Sequence, residues 1–256
     1  LNEESSFPAP AEAPAGAPPL LQEIRHPAER LPQTPPGLFE IPSGWALATY
    51  DVGGGRPVQL YQPADPDAFL ESDSVLARHE ADGYMPYWAY LWPAAVLMAR
   101  VLQYAPWPKG TRLLELGAGV GLVGVSAAVR GDEVTITDYD HEAILVAREN
   151  ARLNLVEAQA RQLDWRDPPA ESFPVIIASE VLYEERNHAP ILQLIDKTLA
   201  RDGLCWIGDA GRTRAEWFAE KLKFTPFEYQ LYDENYQPLA KPRFGRFQLF
   251  ELRRKS

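Results

Sequence analysis

Between Thr111 and Asp209, five short β-rich runs alternate with segments of helical pattern: TRLLEL (111–116), EVTITD (133–138), QARQLD (159–164), PVIIAS (174–179) and GLCWIGD (203–209). Strands separated by helices are joined by crossovers rather than hairpins. They therefore lie parallel, with helices packed on both sheet faces. After the fifth run the pattern changes. Residues 224–252, FTPFEYQLYDENYQPLAKPRFGRFQLFEL, read as two long strands around a loop, and two strands in direct succession pair antiparallel. The expected fold is α/β: a doubly wound, mostly parallel seven-stranded sheet with an antiparallel C-terminal strand pair.

The segments before this core differ in character. Ten of the chain's 24 prolines fall within the first 42 residues, and a stretch such as PAPAEAPAGAPPL holds no helix and buries no core. Residues 1–43 are therefore expected to form a Pro/Ala-rich tail. If the tail docks instead, Leu20, Leu21, Ile24, Leu38 and Phe39 are its candidate anchors. Residues 44–84 should form an extension made of a hairpin, WALATYDV and PVQLYQ around GGGR, and a short helix. Residues 85–256 form the main domain. Its first helix should run from Ala94 to about Tyr104, with Pro93 in the first turn. Trp88 and Trp92, four apart, would share one face if that stretch is helical.

Composition narrows the function. Of 256 residues, 46% are apolar, enough for a sizeable core. The net charge of −11 disfavours nucleic-acid binding. One cysteine, Cys205, forms no intramolecular disulfide, which fits a reducing, cytoplasmic compartment; mid-strand, it should be a buried apolar residue. Four scattered histidines suggest no metal site. No apolar run is long enough for a membrane helix, and the N-terminus lacks the features of a secretory leader.

The first strand of the core ends in LLELGAGVGLVG (113–124). Gly117, Gly119 and Gly121 allow a tight turn and close backbone approach to a ligand, and the following helix offers free N–H groups. The third glycine of the dinucleotide pattern is missing, since that position is Leu122, and there is no phosphate-loop G-K-[ST]. The glycines alone fit a purely structural turn as well. Context adds to them: Asp138 ends the second strand, 19 residues after Gly119, where an acid can accept both ribose hydroxyls. Asp164 ends the third strand and could accept from an adenine amine, with Trp165 as a flat wall for the ring. A helix cap and plain core packing are the alternatives for those two residues.

At this point the chain, over roughly residues 45–253, resembles the class I, seven-stranded S-adenosylmethionine-dependent methyltransferases. ELGAGVG, TITD and LDW look like their first three motifs. PYWAYLWPA, EVLY and IGDAGR resemble the protein lysine methyltransferase group, most of all the branch acting on the electron transfer flavoprotein β subunit and its bacterial relatives. That branch usually has Pro where Ala210 stands, and the group's D-x-x-Y is here Glu180 to Tyr183. The resemblance implies S-adenosylmethionine as cofactor, contacted by Trp92, Glu115, Gly117, Ala118, Gly119, Gly121, Asp138, Asp164, Trp165 and Ser179. It implies Glu180 and Tyr183 as the catalytic pair: Glu180 orienting the target amine, and Tyr183, one helical turn along, walling its channel. The implied partner is a protein presenting a lysine; charge, hydropathy and the scattered histidines point to no nucleic acid, membrane or metal, and a monomer is favoured with the oligomeric state left open.

Three other readings remain open on sequence: a small-molecule N- or O-methyltransferase, an NAD-dependent oxidoreductase, and a non-catalytic protein on the same fold. A closed lid supplied by the segment before Pro93 would mark the first. An open acidic groove around Glu180 would favour a protein substrate. The absence of Asn-Pro-Pro-Tyr after the fourth strand weighs against a planar amine target.

Overall fold

The structure is a computed structural model that describes residues 28–255. It contains two sheets. A small antiparallel sheet is built from β1 (Ala28–Arg30), β2 (Trp45–Tyr50) and β3 (Val58–Pro63). Two helices follow, α1 (Pro66–Leu70) and α2 (Asp73–Asp82), then a 3-10 turn at Tyr87–Ala89 and α3 (Pro93–Val101). The main sheet then forms from β4 (Arg112–Leu116), β5 (Glu133–Asp138), β6 (Gln159–Gln162), β7 (Phe173–Ser179), β8 (Leu199–Asp209), β9 (Phe227–Tyr232), β10 (Pro238–Leu239) and β11 (Gln248–Arg254). Its connecting helices are α4 (Leu122–Arg130), α5 (His141–Leu153), α6 (Glu185–Thr198) and α7 (Thr213–Leu222).

The strand order is β10-β9-β11-β8-β7-β4-β5-β6. β6, β5, β4, β7 and β8 are mutually parallel, and β11 lies antiparallel between β8 and β9. The doubly wound reading holds, with one addition. The two-residue β10 makes the sheet eight-stranded, because the chain after β9 folds back on its own strand through a tight turn at Asp233–Gln237. The chain runs outward from β4 to β6 and then crosses to β7 on the other side of β4. This reversal opens a crevice at the carboxyl end of β4, the place where such sheets bind ligands.

Alternation along each buried strand divides the core. Leu113, Ile136, Ile177 and Trp206 face α3, α4, α5 and the small sheet. Leu114, Leu116, Ile176, Cys205 and Phe250 face α6 and α7. Period-two side chains in a sheet covered on both faces give these nearly continuous apolar runs. Cys205 is buried, and burial pushes its thiol up from its ordinary range.

Three expectations need correction here. The tail does not extend to residue 43. From Ala28 the chain belongs to the folded body: β1 pairs with β2, the Phe39 ring meets Trp45 edge-on at 5.6 Å, and the Phe39 carbonyl accepts Trp45 Nε1–H at 2.8 Å. Leu38 and Phe39 therefore anchor it, while Leu20, Leu21 and Ile24 lie outside the described residues. Residues 88 and 92 do not share a helix face, because Pro93 forces the residue before it into extended geometry and the helix starts only there. Trp88 is buried between Phe39 and Phe69, whereas Trp92 faces the crevice. Finally, β6 ends at Gln162, since the Asp164 carboxylate caps the N–H of Arg166 and turns the chain away from β5.

The small sheet is bound to the main body along β3. Two asparagines of α5 meet its edge: Asn150 bonds the N–H and carbonyl of Tyr61, and Asn154 those of Gln59. No helix among the described residues is long and apolar enough to cross a membrane.

Trp45→Ala should therefore destabilise the whole protein, not the small sheet alone. Deleting this fully buried ring is expected to cost about 3–5 kcal/mol in a single urea transition. Two separate transitions, or a loss below about 1 kcal/mol, would contradict the packing described.

Candidate active site

The crevice is a cavity of about 920 Å³. Its floor is the turn from β4 into α4, its sides are the ends of β5 and β7, and its roof is the aromatic segment 84–92. Eleven of the twelve residues singled out from sequence line it: Trp92, Glu115, Gly117, Ala118, Gly119, Asp138, Asp164, Trp165, Ser179, Glu180 and Tyr183.

Gly121 is the exception, and it is corrected as a cavity-lining position. It is the N-cap of α4 with φ +89°, and a Cβ there would sit 2.8 Å from the Ala147 methyl. Its role is to let α4 start tightly against α5. A glycine that sequence reasoning passed over serves the site instead. A Cβ on Gly124 would lie 2.1 Å from Glu115 Oε2, so this glycine makes room for the Glu115 side chain. The GLVG tetrapeptide was the available signal.

Asp138 holds the turn. Its Oδ2 accepts Gly119 N–H at 2.8 Å and its Oδ1 accepts Asp140 N–H at 2.9 Å. Burial raises its carboxyl above the ordinary value, and these backbone donors oppose the rise. Glu115 lies deeper. Oε1 accepts Gly124 N–H at 2.9 Å, while Oε2 is buried with no hydrogen-bond partner among the described residues. Burial pushes Glu115 up to about 8, so it is a protonated donor near neutral pH. Asp164 differs from both. Arg166 grips it through Nε and Nη2, which holds it below the ordinary carboxylate range, and it sits half-exposed at the rim.

At the end of β7 the chain passes through Glu180 in a left-handed conformation, φ +57°. That twist carries a buried carboxylate into the space between three elements. Oε1 accepts Ala94 N–H at 3.2 Å at the start of α3, and Oε2 accepts Arg212 Nε and Nη2 at 3.1 and 2.9 Å. Arg212 is aimed by its own N–H, which donates to Asp209 Oδ1, and its guanidinium lies 5.2 Å from the Trp92 ring centroid. Burial raises the Glu180 carboxyl, and the charge of Arg212 opposes this. Tyr183 is not one helical turn along, because α6 begins only at Glu185. An extended loop brings it to the mouth, where its ring meets Tyr87 at 5.9 Å. Burial raises its phenol well above the ordinary value, so it stays protonated.

Tyr87, Tyr90 and Arg212 were missed as individual residues, although PYWAYLWPA and IGDAGR contain them. The mouth is an aromatic collar. Tyr87 and Trp92 lie 6.4 Å apart, and Tyr90 and Trp92 5.4 Å. The surrounding groove is not the open acidic one that would have favoured a protein substrate. Asp164 is paired with Arg166 and Glu184 with Arg186, so the rim is of mixed charge.

A family model described as lysine methyltransferase matches residues 76–223. The chain belongs to that family. A protein N-lysine methyltransferase METTL21A from Mus musculus is 30% identical over 161 residues, which covers 59% of this chain and 72% of the relative. The METTL21A of Danio rerio is 32% identical over 129 residues, 44% of this chain and 56% of the relative, so only about half of that protein's length is spanned. A TehB-like S-adenosylmethionine-dependent methyltransferase of Corynebacterium glutamicum has the same fold, with a TM-score of 0.54 at 22% identity over 76% of this chain and 100% of the other.

Membership of this family implies S-adenosylmethionine as the cofactor, and the residues present fit it. Asp138 offers carboxylate oxygens where a ribose diol would donate. Glu115 Oε2, Ser179 Oγ, Trp165 Nε1 and the Tyr90 hydroxyl, all on cavity-lining residues, have no hydrogen-bond partner among the described residues. Buried polar atoms are normally paired, so these groups suit a polar ligand.

The Glu115 proton has a measurable consequence. Its carboxyl titrates near 4.5 in the unfolded chain and about 8 in the folded one. Between those values the folded state holds a proton the unfolded state has released, so stability falls as pH rises. Glu115→Gln should flatten that fall and gain a few kcal/mol on the wild type between pH 4.5 and 8, read from urea midpoints of the ligand-free proteins. Parallel pH profiles for the two proteins would contradict a protonated Glu115.

Proposed function

We propose that the protein transfers a methyl group to the Nζ of a lysine presented by a protein substrate, which enters through the collar of Tyr87, Tyr90, Trp92 and Tyr183. The observation that carries this reading is the charge-balanced Glu180–Arg212 pair directly behind that collar. Bound S-adenosylmethionine supplies a methyl group already activated as a sulfonium, so the protein's tasks are alignment and exclusion of water.

A lysine amine must be neutral to attack. Its ordinary pKa of about 10.4 makes deprotonation at pH 7 cost about 4–5 kcal/mol. A lone carboxylate beside the amine would raise that cost by favouring the ammonium. Here Arg212 cancels the charge of Glu180 while leaving its oxygens able to accept hydrogen bonds. Glu180 thus orients the amine lone pair without stabilising the protonated form. The aromatic collar removes water from the amine and further favours the neutral species. The proton leaves to solvent as the amine enters. The protonated Tyr183 hydroxyl lies at the mouth and can hydrogen-bond the incoming nitrogen.

The site residues act in two groups in this reading. Glu115, Gly117, Ala118, Gly119, Asp138, Asp164, Trp165 and Ser179 surround the cofactor, with Trp92 at its methionine end; Glu180 and Tyr183 face the substrate. The enzyme is proposed to work as a monomer in the cytoplasm, where its single buried thiol stays reduced.

Incubation with methyl-labelled S-adenosylmethionine and a cell extract, followed by complete hydrolysis, should place label in methylated lysine. Label confined to small metabolites, or found only in arginine, would overturn the substrate assignment. On the labelled protein, Glu180→Gln should lower kcat by about 100-fold, since misplacing the amine by an ångström suffices for that loss. Unchanged kcat would remove Glu180 from the mechanism.

A further inference from the structure

β1, β2 and β3 lie outside the residues matched by the family model, yet one side chain joins this small sheet to the cofactor turn. Asn150, on α5, is completely buried. Its Oδ1 accepts Tyr61 N–H at 2.7 Å. Its Nδ2 donates to the Tyr61 carbonyl at 3.0 Å and to the Val120 carbonyl at 2.8 Å. Both amide hydrogens are thereby used. Val120 stands between Gly119, whose N–H is held by Asp138, and Gly121, on which α4 begins.

Asn154, one helical turn later, supplies an internal comparison. It bonds the N–H and carbonyl of Gln59 just as Asn150 bonds those of Tyr61, but its remaining Nδ2 bond goes to the Asn150 carbonyl. Covering the β3 edge therefore does not require a bond to the glycine turn. Only Asn150 makes one. The other side of the turn is bounded by the same N-terminal region. A Cβ on Gly119 would lie 3.6 Å from the Trp88 carbonyl oxygen, and Trp88 is packed against Phe39 and Phe69.

We infer that Asn150 is a positioning residue for S-adenosylmethionine, through which the small N-terminal sheet holds the glycine turn in its binding shape. A turn with glycine at three of five positions has much conformational freedom to lose. Fixing the Val120 carbonyl removes part of that freedom before the ligand arrives, and a pre-organised site binds more tightly for the same contacts. The inference rests on the cofactor assignment made above.

The test uses the full chain with Asn150→Ala, Asn150→Asp and Asn154→Ala. The aspartate variant keeps the size and the acceptor but loses both donors. Calorimetric titration with S-adenosylmethionine, well below each variant's melting temperature, should show both Asn150 variants binding about tenfold more weakly than wild type. Asn154→Ala should stay within about twofold of wild type while losing thermal stability. In the ligand-free proteins, amide hydrogen exchange over residues 117–121 should accelerate in the Asn150 variants only. Should the alanine variant not fold, Asn150→Ser makes the same comparison. Equal affinity across all variants, or equal weakening by Asn154→Ala, would overturn the inference and leave Asn150 as an edge staple. Wild type failing to bind would instead overturn the cofactor assignment.

Discussion

The site depends on one half-buried carboxylate. Asp138 sits where β5 ends, and parallel pairing with β4 sets Leu116 beside Thr137, so the chain leaving β4 must cross in front of that carboxylate. The Gly119 N–H then falls within hydrogen-bond distance of it. Burying an acid is costly, and backbone N–H groups from the turn and from Asp140 offset part of that cost. The shape of the turn and the placement of this carboxylate, the proposed ribose site, thus rest on one hydrogen bond. Everything that fixes β4 against β5, from the alternating apolar residues to the bolt from Asn150, acts on this contact.

The Glu180 end of the cavity is built on a different principle. Glu180 is carried in by a left-handed backbone and then surrounded by groups that cancel it. Arg212 neutralises its charge and the first turn of α3 supplies an N–H. This triangle ties β7, the β8–α7 loop and α3 together at the mouth, and the Arg212 guanidinium lies over the Trp92 ring. Removing the charge of Arg212 would leave the buried Glu180 carboxylate alone, an expensive state. In the proposed reaction, alignment of the substrate and rigidity of the mouth therefore share the same atoms.

Much of this was legible in the sequence where burial imposes a pattern. Apolar runs marked β4, β5 and β7 to within a residue or so, because strands covered on both faces admit little else. Asp138 was legible because an acid directly after such a run has few other uses. The misses have equally physical origins. β1 is three exposed residues paired to a neighbour, so it carries no periodicity that could separate it from the proline-rich segment around it. Asp164 follows an exposed edge strand whose end is set by a local turn. The left-handed φ of Glu180 and the reach of Arg212 across 32 residues of sequence are products of tertiary packing, and no local residue pattern encodes them.

The measurement that bears most directly on the account is a calorimetric titration of the purified protein with S-adenosylmethionine and, separately, with NAD, repeated on Asp138→Asn. The account predicts one molecule of S-adenosylmethionine bound per chain, no heat of binding from NAD, and an affinity for S-adenosylmethionine at least about tenfold weaker in the asparagine variant. Binding of NAD without S-adenosylmethionine, or S-adenosylmethionine affinity indifferent to Asp138, would contradict it.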